Sequence, residues 1–231
     1  MGGMTAPSSL AQLAALLADE TRAAMCLALL DGRAWTAGEL ARHAGVARST
    51  ATEHLHRLTA GGLLAEERQG RHRYVRLADA SVAALLEDMS ARLAPDATRP
   101  TGLRAATASA ALARGRTCYD HLAGRLGVAV TDALTARGLL DQSGGFALTE
   151  AGLRWMAGQG LRLDGGKRPV ARACLDWTER RPHLAGVAGA RLCERFLARG
   201  WVARIGSGRA VRVTPDGRVA LADLLGIDGV D

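Results

Sequence analysis

Apolar residues recur at helical spacing on either side of a glycine at position 45, which predicts two short helices joined by a turn. Thr36 predicts the start of the first helix, and Glu39, three residues later, completes a capping box. Gly45 ends that helix, because a residue without a Cβ atom can turn the chain at no steric cost. In the second helix, residues 47–60, one face is apolar and is formed by Ala51, Leu55 and Leu58. This pattern predicts a helix-turn-helix.

Two short apolar segments follow the second helix and flank a polar, basic turn. Residues 63–67 and 74–77 have the composition of strands, and residues 69–72 join them. A helix-turn-helix followed by such a hairpin is a winged helix-turn-helix, which makes double-stranded DNA the expected partner. The alternative that these residues leave open is a solvated amphipathic helix followed by a basic hairpin.

The face of the second helix that lies opposite its apolar face carries short polar groups and cations, which suit base edges and phosphates. The predicted DNA contacts from this face are Arg48, Ser49, Thr52, Glu53, His56 and Arg57. Arginines near the tip of the hairpin suit phosphate or minor-groove contact, and these are Arg68, Arg71 and Arg73.

Three segments occur in order within residues 17–77: LADETRAAMCLALLDG, ELARHAGVARSTATEHLHRLTAGGLL and RQGRHRYVRL. They resemble the ArsR/SmtB family of bacterial repressors over about the first two-fifths of the chain. The resemblance implies that the second helix is the recognition helix, which adds Thr50 and His54 to the expected contacts. It also implies that the hairpin is the wing, which adds Gln69 and His72, and that the protein binds its operator as a homodimer.

The chain departs from this family at the positions of two familiar metal sites. Family metal sensors often carry Cys-x-Cys in the first helix of the motif, where this chain has the residues ELAR at 39–42. Others use an Asp-x-His…His pattern on the helix after the wing, but residues 80–93 contain no histidine. The resemblance therefore implies DNA binding and dimerisation without either of these metal sites.

Amphipathic helices are predicted on both sides of the winged helix. Ser8 or Ser9 is the expected cap of a first helix with apolar residues at 10, 13, 16 and 17, and Asp19 begins a second helix. After the wing, residues 80–93 form a helix with an apolar stripe. In the resembling family the first and the last of these helices form the dimer interface. The alternative is that both stripes only close the core of the monomer.

Residues 95–101, with two prolines and no apolar periodicity, predict a linker between residues 1–94 and 102–231. Two segments of the second region repeat the order of the wing: a helix ending near a glycine, an apolar pair, a polar turn, a strand and a closing helix. Thr149 and Thr214 are the expected caps of the closing helices. The predicted fold is mainly α with small β-wings, a winged helix-turn-helix followed by winged-helix-like repeats.

The composition is typical of a globular protein, and the net charge is typical of a protein that binds nucleic acid. Hydrophobic residues make up 48% of the chain, and the formal net charge is +7, which favours a polyanionic partner. No apolar run approaches the roughly 20 residues that a membrane span needs, and the first residues lack the pattern of a secretory signal. Four scattered cysteines do not form a disulfide framework. We expect a cytoplasmic, nucleoid-associated protein with reduced thiols.

Cysteines and histidines are the first candidates for effector sensing in the C-terminal region. Cys118 and His121 are spaced i and i+3, which in a helix puts both on one face and can chelate an ion. Cys174 and His183 lie farther along, and the four residues can form a tetrahedral site for zinc or another divalent transition metal if the fold brings them together. Alternatives are a thiol switch and buried residues of the core.

Aromatic residues offer a different effector site, a pocket for an organic molecule. Tyr119, Trp155 and Trp177 are candidates for its lining, and Arg181 can bind an anionic group of the ligand. Each of the tryptophans also fits as an anchor of the core.

These observations together predict a DNA-binding transcriptional regulator, with repression as its expected mode and an effector at the C-terminal domain controlling its affinity for DNA. The effector can be a small molecule, a metal or an oxidant. The alternative is a tandem winged-helix scaffold for protein interactions that binds DNA weakly and without sequence preference. An enzyme is not expected, because no nucleophile–base pair or phosphate-binding loop is recognisable.

Overall fold

The computed structural model describes residues 6–70, 72–93, 103–164, 166–206 and 208–229. Its contacts divide the chain into two compact units, Met1–Leu86 and Glu87–Asp231. The expected linker at residues 95–101 lies outside the described residues, so the domain boundaries proposed from the sequence stay a prediction. Among the described helices, none combines the length and the hydropathy that crossing a membrane requires.

The N-terminal unit is helical with one small sheet. Its elements in chain order are α1 (Pro7–Leu17), α2 (Glu20–Ala28), a 3₁₀ turn (Leu29–Asp31), β1 (Trp35–Thr36), α3 (Ala37–Ala44), α4 (Arg48–Ala60), β2 (Leu64–Gln69) and β3 (His72–Leu77). A fifth helix, α5 (Ala80–Arg92), begins in this unit and ends in the next. The strands pair antiparallel in the order β1-β3-β2, so the predicted two-stranded wing has a third strand at Trp35.

Local sequence signals account for the turn between α3 and α4. The Thr36 hydroxyl accepts a hydrogen bond from the Glu39 amide, and the Glu39 carboxylate accepts one from the Thr36 amide, which completes the predicted capping box. Gly45 ends α3 with φ of 68°, in the left-handed region that favours glycine. The predicted cap of α1 was wrong: the helix begins at Pro7 after Ala6, because proline suits the first helical position.

Apolar side chains from both helices of the motif close the core of this unit. Its buried residues include Met25, Leu29, Leu40, Ala51, Leu55, Leu58, Leu64, Val75 and Leu77. The three residues predicted for the apolar face of α4 are among them, so α4 buries one face and leaves the other in solvent.

The C-terminal unit alternates short hairpins with helices. After the end of α5 its elements are α6 (Leu103–Arg114), β4 (Arg116–Cys118), β5 (His121–Ala123), α7 (Gly124–Ala136), β6 (Leu140–Asp141), β7 (Ala147–Leu148) and α8 (Glu150–Gly158). They continue with β8 (Arg172–Leu175), β9 (Pro182–Ala185), α9 (Gly186–Ala198), β10 (Val202–Arg204), β11 (Val211–Val213) and α10 (Pro215–Leu225).

The order hairpin, helix, hairpin, helix therefore occurs twice, from β4 to α8 and from β8 to α10. The Thr149 hydroxyl caps α8 through the Gly152 amide, and the Thr214 hydroxyl caps α10 through the Gly217 amide, as the sequence predicts. One core holds both repeats together, with Leu126, Leu134, Leu192 and Phe196 among its buried residues. The repeated order agrees with the expected repeats, and their likeness to winged helices stays a prediction.

The first hairpin of each repeat was not expected. Cys118 and His121 were assigned to one face of a helix, but they end β4 and begin β5 across a two-residue turn. The helical assignment was wrong because the i and i+3 spacing also fits a tight hairpin, where the first and fourth residues pair across the strands. Tyr119, in that turn, has φ of 58°, a conformation that a hairpin of this length requires of its turn residues.

Candidate functional site

The outward face of α4 is open to solvent over its whole length. The exposed side chains proposed for DNA contact on this helix are Arg48, Ser49, Thr50, Thr52, Glu53, His56 and Arg57. The Thr52 hydroxyl donates to the Arg48 carbonyl at 2.8 Å, which leaves an oxygen lone pair facing outward. Arg57 and Glu53, one turn apart, form an exposed ion pair at 2.6 Å, so part of the charge of Arg57 is neutralised within the helix.

His54 differs from the other proposed contacts on α4. Its side chain is 16% exposed, and Nδ1 lies 3.9 Å from the Asp19 carboxylate and 3.5 Å from Arg22. The ring therefore joins α4 to the start of α2 and points away from the outward face. The resemblance assigned His54 to DNA contact, and that assignment stays a prediction, with Nδ1 of its ring in contact with Asp19 and Arg22.

The wing carries its cations on the two long strands. Arg73 pairs with Glu66 across the strands, and Arg76 lies 3.7 Å from Glu67. Arg68 and Gln69 are exposed, and among the described residues neither Arg68 on the wing nor Arg48 on α4 forms an ion pair. Arg71 and the side chain of His72 lie outside the described residues.

A buried carboxylate fixes the turn that leads into the motif. Asp31, 1% exposed, accepts hydrogen bonds from the Arg33 amide and guanidinium at 2.8 Å and from the Trp35 indole at 2.9 Å. These bonds hold β1 in place, so the start of α3 is determined by contacts upstream of the motif.

The C-terminal unit brings two cysteines and two histidines together. Their ligand atoms, one sulfur or ring nitrogen from each residue, all lie within 4.8 Å of one another, and all four side chains are buried. We call them the Cys/His cluster: Cys118, His121, Cys174 and His183. The two sulfurs are 3.9 Å apart, and the Nε2 atoms of the two rings are 3.1 Å apart. These are the four residues that the sequence nominated for a zinc-like site, and ion binding itself stays a prediction.

The register of two hairpins places these side chains. Cys118 lies directly opposite His121 in the β4–β5 hairpin, and Cys174 lies directly opposite His183 in the β8–β9 hairpin. Residues opposite each other on antiparallel strands point to the same face of the sheet. Each repeat therefore presents one cysteine and one histidine as a pair, and the cluster forms where the two hairpins meet.

Each histidine has a carboxylate at its other ring nitrogen. Asp120 lies 3.3 Å from Nδ1 of His121, and Asp176 lies 3.3 Å from Nδ1 of His183, at an angle that does not fit a hydrogen bond. Arg168 holds Asp120 through two hydrogen bonds of 2.6 and 3.0 Å. In the second pair a fully buried Arg116 donates to Asp176 at 2.9 Å. A hydrogen-bonded carboxylate orients an imidazole, as Asp120 does for His121, and Nε2 of both rings faces the centre of the cluster.

Burial and hydrogen bonding shift the pKa values of the four side chains of the cluster in different directions. Hydrogen bonding from Cys118, and then from the two imidazoles, lowers the pKa of Cys174, whereas burial raises the pKa of Cys118. Burial lowers the pKa of His183. Burial acts in the same direction on His121, but its bond to Asp120 and the nearby negative charges raise the pKa of His121 to about 9. The cluster thus favours a buried thiolate beside a buried imidazolium.

Two glycines let the helices approach the cluster. A Cβ atom on Gly189 of α9 would lie 2.3 Å from the Leu184 carbonyl oxygen and 3.2 Å from Cβ of His121. One on Gly127 of α7 would lie 2.4 Å from the Leu122 carbonyl oxygen. The sequences HLAGRLG at 121–127 and HLAGVAG at 183–189 share this spacing. That repeat was a sequence signal for pairing the two histidines, and it was missed.

Glu87 is a further buried group beside the cluster that sequence reasoning did not find. It is 6% exposed, and the Cys174 thiol donates to its Oε2 atom at 3.5 Å. Burial raises the pKa of Glu87 to about 7. Because an isolated glutamate on an amphipathic helix is usually solvated, only the tertiary structure identifies it.

The residues proposed for an organic effector do not converge. Trp155 packs on the core, Trp177 lies under the guanidinium of Arg116 at 4.5 Å from its ring centre, and Tyr119 is in the turn of a hairpin. Arg181 forms a two-bond ion pair with Asp132. Two cavities described in this unit, of about 240 and 510 Å³, have other linings. The organic effector stays a prediction.

Comparison with known proteins places the chain in a family. A model described as a helix-turn-helix domain matches residues 17–67. The uncharacterized HTH-type transcriptional regulator YdfF of Bacillus subtilis is 37% identical over 223 residues, which cover 95% of this chain and 98% of that protein. The HTH-type transcriptional regulator CmtR of Mycobacterium tuberculosis is 42% identical over 94 residues, 40% of this chain and 79% of CmtR.

The similar solved structures match the N-terminal part of this chain. One is the NMR structure of the cadmium metal-sensor CmtR from Mycobacterium tuberculosis, 38% identical over 40% of this chain and 97% of that chain, with a TM-score of 0.32. Another is the homodimeric winged helix-turn-helix DNA-binding domain of Mb0332 from Mycobacterium bovis, 27% identical over 37% of this chain and 83% of that chain, with a TM-score of 0.33. With YdfF matched along almost its whole length, the chain belongs to the HTH-type transcriptional regulators.

Proposed function

We propose that this protein represses transcription by binding an operator as a homodimer in the cytoplasm, and that an effector held by its C-terminal unit controls its affinity for DNA. The observation that carries the proposal is the outward face of α4, which is polar and cationic along its length while its other face closes a core. A helix with this division can enter the major groove without exposing apolar surface.

The charges on this unit divide into two groups with different expected roles. Arg48, at the start of α4, is exposed and without an ion pair among the described residues, so it is available to a guanine edge. Arg68 on the wing is equally available, and its place on a strand beside the turn suits a phosphate. Arg57 and Arg73 are partly neutralised by Glu53 and Glu66, so we expect smaller contributions from them.

Apolar side chains in solvent support dimerisation. Leu10 of α1 is 63% exposed, and no residue of α1 is fully buried. Met89, on the later turns of α5, is 46% exposed, and Leu93, directly after the end of α5, is 68% exposed. In a two-fold symmetric dimer, such side chains are covered by the second copy, and two recognition helices reach successive major grooves.

The test uses a DNA duplex that the protein selects from a random pool and a duplex of unrelated sequence, with binding followed by fluorescence anisotropy. Arg48→Ala should lose about 1–3 kcal/mol on the selected duplex and little on the unrelated one. Arg68→Ala should weaken both duplexes alike and reduce the slope of log affinity against log salt by about 1. Arg154→Ala, at an exposed arginine of α8, is the matched control and should change neither.

Equal losses on both duplexes for Arg48→Ala and Arg68→Ala would contradict this division of roles. Failure to select any duplex, together with weak binding to all DNA, would favour the protein-interaction scaffold. Sedimentation equilibrium of the same protein measures its oligomeric state directly. A monomer bound to the selected duplex would exclude DNA binding as a two-fold symmetric dimer.

A further inference from the structure

Two distances within the Cys/His cluster match those of a tetrahedral metal site. Zinc binds nitrogen at about 2.0–2.1 Å and sulfur at about 2.3 Å, which in a tetrahedron puts two nitrogens about 3.3 Å apart and two sulfurs about 3.8 Å apart. The two Nε2 atoms are 3.1 Å apart and the two sulfurs are 3.9 Å apart. The spacing of both like pairs thus agrees with one ion at the centre.

The two rings also face each other through Nε2 atoms, an arrangement that a cation stabilises, either an added proton on one ring or a metal ion between them. Nδ1 of His121 and Nδ1 of His183 each face a carboxylate at 3.3 Å, so each is best placed to carry a proton. Neutral rings with protons on Nδ1 have bare Nε2 atoms, and these two lone pairs then face each other at 3.1 Å.

In a neutral pair, moving one proton from Nδ1 to Nε2 does not remove this conflict, whereas an added proton on Nε2 of His121 or a metal ion does. If His183 donates from Nε2 to His121, its own Nδ1 becomes an acceptor that faces the Asp176 carboxylate, another acceptor. Within the described residues, the protein supplies no hydrogen bond to Nδ1 of His183, which is fully buried. A metal ion at the centre binds both lone pairs and leaves both Nδ1 protons on their carboxylates.

A disulfide explains less of the arrangement. Cys118 and Cys174 have sulfurs 3.9 Å apart, and oxidation could join them. A disulfide, however, gives no partner to the facing imidazoles, and it does not account for the carboxylate behind each ring. A metal ion gives all four groups one shared role, as its ligands.

We infer that the Cys/His cluster binds one divalent metal ion of the zinc class and that this ion is the effector of the C-terminal unit. Two soft thiolates and two imidazoles in a tetrahedron select zinc, cobalt or cadmium over magnesium or calcium. Two thiolates also balance the charge of the ion, so a buried site becomes neutral. The protons held by the thiols and by any imidazolium leave when the ion binds.

Glu87 connects this site to the helix that begins in the N-terminal unit. The Cys174 sulfur lies 3.5 Å from the Glu87 carboxylate oxygen Oε2. An ion bound to this sulfur changes the charge that the Glu87 carboxylate faces. Because Glu87 is on α5, a change at Glu87 reaches a helix shared by both units. This last step rests on the proposed function, whereas the metal site does not.

The experiment is a titration of the reduced, metal-free, full-length protein with cobalt(II), followed by competition with zinc. We expect intense visible bands of tetrahedral cobalt and thiolate-to-cobalt charge-transfer bands that saturate at one ion per chain and disappear when zinc is added. Cys118→Ser and Cys174→Ser should each lose the charge-transfer intensity. Cys193→Ser is the matched control, because Cys193 is equally buried but outside the cluster, and it should behave as the wild type.

X-ray absorption spectroscopy of the zinc-loaded wild-type protein makes the test independent of whether the serine variants fold. Two sulfur and two nitrogen neighbours at the distances given above support the site, and a shell of oxygen neighbours overturns it. A cobalt titration without thiolate bands also overturns it, including the case in which the two sulfurs form a disulfide.

Operator binding of the same samples separates the metal site from the proposed function. A change of at least roughly fivefold in operator affinity on loading zinc, typical of allosteric coupling, supports the effector role. A saturable tetrahedral site with unchanged operator affinity refutes that role and leaves a structural ion. Operator binding by a protein that shows no metal site would refute the inferred metal site and leave the proposed repressor function in place.

Discussion

The two units place their functional side chains in opposite ways. In the N-terminal unit the proposed contacts lie on one helix and the hairpin that follows it, and they are exposed. In the C-terminal unit, Cys118 and Cys174 are 56 residues apart in the chain, and every member of the cluster is buried. An exposed, local site can be changed without unfolding the protein. Changes in a buried site built by two distant hairpins should also lower stability, since its ligands and their supports pack the two repeats together.

The largest effect is expected at Asp176, whose buried carboxylate accepts from Arg116 and from the Gly124 amide at 2.7 Å. Asp176→Asn leaves the guanidinium buried without a counter-charge, which should lower the free energy of unfolding by about 3–5 kcal/mol. Urea denaturation followed by circular dichroism measures this change.

The matched control for Asp176 is Asp132→Asn, which breaks an exposed ion pair with Arg181 in the same unit. We expect a loss below about 1 kcal/mol, because solvent screens such pairs. Similar losses in the two variants would mean that the Asp176 ion pair does not join the repeats.

A smaller effect is expected where α9 approaches the cluster. Gly189→Ala introduces a Cβ atom against backbone and against His121, which should destabilise the protein by roughly 1–3 kcal/mol. Gly158→Ala, at a helical glycine with open space around it, should be neutral or stabilise by up to about 1 kcal/mol. Thermal unfolding compares them, and a Gly189→Ala variant as stable as the wild type would show that the contact between the repeats is loose.

The smallest effect on stability is expected in the N-terminal unit. Glu53→Gln releases Arg57 from its ion pair, which should change the free energy of unfolding by less than about 0.5 kcal/mol. Because the released Arg57 can neutralise one more phosphate, the slope of log affinity against log salt should become steeper by about 1.

The control for Glu53 is Glu150→Gln, which breaks the equivalent pair with Arg154, one turn apart on α8. It should leave the salt dependence as it is. Identical salt slopes for wild type, Glu53→Gln and Glu150→Gln would remove Arg57 from the DNA interface.

The features that could be predicted from the sequence are those set by interactions between residues close together in the chain. The capping box at Thr36, the left-handed Gly45 and the apolar face of α4 are decided within a few residues, and each was predicted. The same short-range logic misassigned Cys118 and His121 to a helix, because an i, i+3 spacing fits both structures. The partial burial of His54 was not predicted, because its contacts, Asp19 at the cap of α2 and Arg22 on α2, lie outside its own helix.

By itself the sequence determined the winged helix-turn-helix and its cationic outward face, and it nominated the four residues of the proposed metal site. These follow from periodicity, caps and residue chemistry, which act locally. Only the tertiary structure decided that the four residues meet, that Asp120 and Asp176 lie beside the imidazoles, and that Glu87 lies beside Cys174. Those contacts join residues far apart in the chain, and they exist only because the packing of two hairpin repeats brings them together.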